Sequence, residues 1–105
     1  MGRKQNRISE QIKEIVANFV VENIPTQYGI VSITRVLITK DGSRAKVYFG
    51  VLPEENSKKV KAFLEENKSE LRSRIRKLKI KVIPELDFEE DRELRVMEKI
   101  WGKNE

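Results

Sequence analysis

Residues 57–88 read SKKVKAFLEENKSELRSRIRKLKIKVIPELDF, and the fold turns on how this stretch is parsed. Its apolar residues change period partway along. Val60, Phe63, Leu64, Leu71, Ile75 and Leu78 recur at three- and four-residue steps or their sums, one face of an amphipathic helix. Leu78, Ile80, Val82, Leu86 and Phe88 then share one parity, with Lys79, Lys81, Glu85 and Asp87 opposite, as in a half-buried strand. The spacing therefore predicts a helix that runs into a third strand over 78–88, with Pro84 putting that strand at an edge or a bulge. The helical stripe has one gap. Asn67 stands between Leu64 and Leu71, where an apolar residue belongs. A short carboxamide there competes with the backbone for hydrogen bonds, so a bend or break is expected across Asn67-Lys68-Ser69.

Upstream, Ile8, Ile12, Ile15, Val16, Phe19 and Val20 form a second helical face, closed by Pro25 and Tyr28-Gly29. Ile30 to Thr39 is rich in β-branched residues and reads as a strand. Asp41-Gly42 supplies a turn. From Arg44 to Val51 the chain alternates, with Ala45, Val47, Phe49 and Val51 on the inward side, so the two strands should pair as a hairpin. Pro53 ends the second strand, and Asn56 or Ser57 can cap the next helix. Leu94, Met97, Ile100 and Trp101 suggest a short terminal helix anchored by the tryptophan. A helix between the second and third strands calls for a parallel, right-handed crossover. The expectation is one α+β domain over residues 1–105, a three-stranded sheet packed on helices. Its core spans about 8–90, residues 1–7 form a mobile basic arm, and 92–105 form the terminal helix and tail.

Charge is distributed unevenly on this frame. Ten lysines and arginines fall within 58–81 against three acids, whereas Glu85 to Glu93 holds six acids and only Arg92. The whole chain carries a net charge of +5. A local cationic field attracts polyanions, and with a phosphate backbone it gains from counterion release. Lys68, Arg72 and Arg76 follow one another along one flank of the apolar stripe, and Arg74 and Lys77 line the other. Lys46, Lys79 and Lys81, with Tyr48, are expected on the outward sheet face, and Arg3, Lys4 and Arg7 on the terminal arm. All eleven cations are candidate nucleic-acid contacts. The bland alternative is a solvated face with internal pairing, for instance Glu66 or Glu70 with Arg74, and with Tyr48 as a cross-strand packing residue.

Several classes are disfavoured. The chain has no cysteine and no histidine, so it lacks thiolate chemistry, the commonest general base and the commonest metal ligand. The acidic run fits no calcium loop. No catalysis, metal or cofactor is expected. The longest apolar stretch, Ile30 to Ile38, is too short to span a bilayer, and no signal-peptide core follows the basic start. A cytoplasmic monomer is expected.

Certain segments also resemble a known family. Ile33-Thr34-Arg35-Val36, Asp41, Ala45-Lys46-Val47-Tyr48, Leu71-Arg72-Ser73 and above all Ile83-Pro84-Glu85-Leu86-Asp87-Phe88 look like ribosome-binding factor A, over roughly residues 3–100. The resemblance implies a type II KH-like fold, in the order α-β-β-α-kink-α-β. It also implies a non-catalytic bacterial assembly factor that binds the immature small ribosomal subunit and its ribosomal RNA during late maturation. Gly-x-x-Gly, the backbone clamp of KH domains that grip single strands, is absent. The family pattern has Ala-x-Gly at a helix kink, and the matching Asn67-Lys68-Ser69 departs from it at both ends. The other reading is a small interaction module whose basic side pairs with an acidic protein.

Overall fold

Apolar periodicity in the first twenty-odd residues produces helix α1, Gly2–Asn23, which buries Ile12, Val16, Phe19 and Val20. The structure, a computed structural model, describes residues 2–92, with side chains for 7–92; the expected terminal helix around Trp101 lies outside the described residues. The helix begins well ahead of the Ile8 boundary expected, since the arginines, lysine and glutamine before it favour a helix and nothing there breaks one. At its other end Asn23 Nδ2 donates to the Phe19 carbonyl at 3.0 Å, and Pro25 follows.

Strands β1 (Ile30–Ile38) and β2 (Arg44–Leu52) form the expected hairpin, in register from Ile30↔Leu52 to Ile38↔Ala45. A bulge at Thr34 lets both Ile33 and Val36 face the core, which strict alternation forbids. In the connecting turn Asp41 Oδ1 accepts from the Ser43 N–H (3.0 Å), the Ser43 hydroxyl (2.8 Å) and the Thr39 hydroxyl (2.9 Å).

Helix α2 (Ser57–Glu66) and helix α3 (Lys68–Arg76) abut at Asn67, where the stripe has its gap. The Asn67 carboxamide donates to the Phe63 carbonyl at 2.8 Å, competing for the acceptor that its own N–H reaches at 3.2 Å. The break lets Val60 and Leu64 on one side and Leu71 and Ile75 on the other all become fully buried. Asn56 is no side-chain cap for α2; it donates instead to the Tyr28 carbonyl at 2.9 Å.

Strand β3 (Glu85–Glu90) lies parallel to β2, giving the order β1-β2-β3. The helices cover one sheet face, where Ala45, Val47 and Phe49 meet Leu86, Phe88 and the helical stripes. The third strand is shorter than its alternating pattern predicts. Arg44, the first residue of β2, pairs with Glu85, so residues 78–84 have no strand to pair with. They form a loop instead. Leu78, Ile80 and Ile83 pack against the core, Val82 is exposed, and Lys79 adopts a left-handed φ of 59°. Lys79 and Lys81 are therefore not on the sheet face.

Two tests follow from this frame. Gly29 has φ 96°, and a Cβ there would come 2.1 Å from the Leu52 carbonyl oxygen. Gly29→Ala should cost at least about 2 kcal/mol and lower Tm by roughly 10 °C or more, read by thermal unfolding. The Asp41 carboxyl is held down at about 2 against an ordinary 3.8, first by the Ser43 N–H, then by the Ser43 and Thr39 hydroxyls. A lowered folded value adds stability that is complete above 3.8 and disappears as pH falls through about 2. The stability gap between wild type and Asp41→Ala should accordingly close over that interval, and a carboxyl-carbon NMR titration should give the low midpoint directly.

Candidate nucleic-acid interface

The nine candidate cations whose side chains are described separate into those with acidic partners and those without. Arg72, on α3, points toward the entry of β3. Its Nε donates to the Pro84 carbonyl and its Nη2 to the Ile83 carbonyl, both at 3.2 Å, while Nη1 lies 3.1 Å from Glu85 Oε1. All three guanidinium nitrogens are engaged, so the side chain ties the loop to the helix. Arg74 joins α3 to α1: it bonds Glu70 at 3.1 Å and Glu22 at 3.3 Å, with its guanidinium 4.9 Å over the Phe19 ring. The Glu70 pairing is the internal one that the sequence allowed. Lys68 meets Glu65 at 2.9 Å.

The open sheet face is balanced in the same way. Parallel pairing sets Asp87 and Glu89 of β3 beside β2. Arg44 grips Asp87 through two hydrogen bonds, at 3.1 and 2.9 Å, and Lys46 lies 3.4 Å from Glu89. These Arg44 bonds above all hold the Asp87 carboxyl below its ordinary range, and the charges of Arg44, Lys68 and Lys46 add to the effect against desolvation. A carboxylate so held stays ionised, the reverse of what a general acid needs. No group of three or more acids among the described residues is arranged to hold a metal ion. Tyr48 packs across the hairpin: Arg35, its register partner, lies 4.2 Å over the ring. Arg44 and Arg35 were not among the expected site residues. Their partners sit on another strand, and the register that joins them is invisible in the sequence.

Arg76, Lys77, Lys79 and Lys81 remain. All four are exposed, and none has an acid within ion-pair distance among the described residues. They follow one another along the end of α3 and the loop after it, interleaved with core-facing Leu78 and Ile80, where cations also oppose the negative end of the helix dipole. Arg7 is exposed on α1, next to Ile8, which lines the same groove as Lys79 and Lys81. The side chains of Arg3 and Lys4 lie outside the described residues. No helix among those described is long and apolar enough to cross a membrane.

A helix, a β-hairpin, two abutting helices and a third strand parallel to the second make this a type II KH-like domain. The sequence profile of the ribosome-binding factor A family matches residues 4–102. The chain belongs to that family. A ribosome-binding factor A from Carboxydothermus hydrogenoformans is 36% identical across 96% of this chain and 86% of its own length. The crystal structure of ribosome-binding factor A from Thermus thermophilus superposes with a TM-score of 0.68 at 21% identity, covering 82% of this chain and 94% of that one. A homology model of the Thermus thermophilus factor, fitted into a cryo-EM map of its 30S complex, also gives 0.68, at 22% identity over 83% and 94% of the two chains.

Removing the internally bonded arginine should damage the fold, and removing a free one should not. Arg72→Ala leaves two carbonyls unpartnered and should cost about 1–2 kcal/mol, roughly 5–10 °C in Tm. Arg76→Ala should stay within about 0.5 kcal/mol of wild type. Equal Tm losses in a thermal scan would contradict this division.

Proposed function

We propose that this chain is a non-catalytic assembly factor that binds the immature small ribosomal subunit, in the cytoplasm, through its ribosomal RNA. The carrying observation is the division of cations. Lys46, Lys68, Arg72 and Arg74 have acidic partners, while Arg76, Lys77, Lys79 and Lys81, exposed along the end of α3 and the loop after it, have none among the described residues. Those four are assigned to phosphates, with Arg7 and the start of α1, including Arg3 and Lys4, as a flanking contribution. Family membership and the 30S complex of the Thermus factor support the choice of RNA surface.

The mechanism is occupancy. A rigid cationic shape binds one arrangement of the RNA more tightly than others and so raises its population. Phosphate contacts supply affinity without reading sequence; shape and any unpaired nucleotides supply selectivity. The acids of β3, already paired with β2, keep the open sheet face close to neutral and leave the α3 end as the attractive side.

The triple variant Arg76→Glu, Lys77→Glu, Lys81→Glu should weaken binding to purified immature small subunits at least about ten-fold and flatten the salt dependence by about two to three units of log–log slope. Lys46→Gln with Lys68→Gln should change either quantity little. Sedimentation over a salt series reads both. Undiminished affinity in the triple variant would refute the RNA assignment, and binding that survives ribonuclease digestion would point to an acidic protein partner instead.

A further inference from the structure

The loop between α3 and β3 offers more than charge. It forms one side of a groove of about 450 Å³ whose other side is the hairpin turn and the start of α1. Ile8, Ile38, Ile80, Val82 and Pro84 give the groove an apolar lining. Lys79 and Lys81 from the loop, with Lys40 from the hairpin side, bring three exposed cations to the same space. Its one acid, Asp41, turns inward: Oδ1 already accepts from the Ser43 N–H and from the hydroxyls of Ser43 and Thr39. The volume lies in the roughly 300–1,000 Å³ range of small-molecule sites.

Two features set this groove apart from a crevice left by packing. Val82 is 45% exposed, an apolar side chain kept in water directly beside Lys81. Lys79 holds φ 59°, a backbone state that costs an L-residue roughly 1–2 kcal/mol and a glycine almost nothing. A lysine held in such a conformation, with no acid within ion-pair distance among the described residues, keeps a cation at the groove against a local strain. Such strain concentrates at functional sites.

Apolar lining and clustered cations suit a ligand that joins a flat, weakly polar body to an anion. Inorganic phosphate would leave the lining unused, and an acidic peptide brings charge without the flat body. We propose that the groove receives one unstacked nucleotide of single-stranded RNA, its base against the Val82–Pro84 side and its phosphate between Lys79 and Lys81. The proposal rests on the RNA-binding reading above and adds to it a preference for unpaired over duplex RNA. Aliphatic side chains cover a base face without reading its edge, so the groove takes any of the four bases.

The test uses the full chain, a labelled single-stranded RNA hexamer and a duplex of equal charge, with affinities from fluorescence anisotropy at one salt concentration. Val82→Ser removes apolar contact at an exposed position without changing charge. It should weaken the hexamer by about three- to ten-fold and leave the duplex unchanged. Lys79→Gly, which the backbone tolerates, should weaken both. If Val82→Ser leaves the hexamer affinity unchanged, or lowers both affinities equally, the groove is not a nucleotide site while RNA binding stands. A wild-type chain that binds neither RNA overturns both readings.

Discussion

The parallel register of β3 against β2 is the constraint from which fold and surface both follow. It begins at Arg44↔Glu85 because β2 has nothing earlier to offer. A parallel pair cannot be closed by a tight turn, so the chain must cross the sheet face, and α2 and α3 make that crossing. In making it they bury Val60, Leu64, Leu71 and Ile75 over the inward residues of β2. The same register sets Asp87 and Glu89 diagonally across from Arg44 and Lys46 of β2, within ion-pair reach, and turns part of the acidic run into counterions. Sliding β3 by one residue would bring Leu86 and Phe88 to the open face and separate those pairs at once.

Arg72 closes this arrangement at its weakest point. Between α3 and β3 the chain runs through residues without a strand partner, and their carbonyls need donors. One guanidinium supplies them to Ile83 and Pro84, while Glu85, the first residue of the strand, takes the charge. A lysine could not make that fork. The side chain that looks like a phosphate contact from charge alone is thus occupied in defining where the last strand starts.

Much of the architecture is legible in the chain because it rests on local periodicity. The α1 face, the hairpin and the crossover all follow from apolar spacing, and the break at Asn67 from a single missing apolar residue. Its carboxamide bond to Phe63 explains how a break forms without the small residues of the family pattern. Two features are not legible, and both depend on distant partners. Alternation over 78–88 looks like strand, but a strand needs a neighbour, and the residues facing the core are Leu78, Ile80 and Ile83 rather than Val82. The bulge at Thr34 is likewise set from afar, by its hydroxyl donating to buried Asp91 beyond the end of β3. The candidate site is legible as a class of residue and not as a set, since ion pairing both along the helices and between elements decides which cations remain available.

That selection matters more than the number of cations. A lysine or arginine already paired with a carboxylate must give up that partner to bind a phosphate, and the exchange yields little net free energy. A cation exposed to water alone, beside others of its kind, releases the counterions condensed on the nucleic acid and keeps the full gain. The net charge of +5 therefore understates the α3 end of this domain and overstates its open sheet face. Arg76, Lys77, Lys79 and Lys81 occupy a short helix end and loop held at one side by backbone bonds from residues 77–79 into α3 and at the other by Arg72 on the Ile83 and Pro84 carbonyls, so their backbone spacing is set before any ligand arrives. Because that order is established on folding, binding bears a smaller entropy cost than it would for the same charges on a flexible tail.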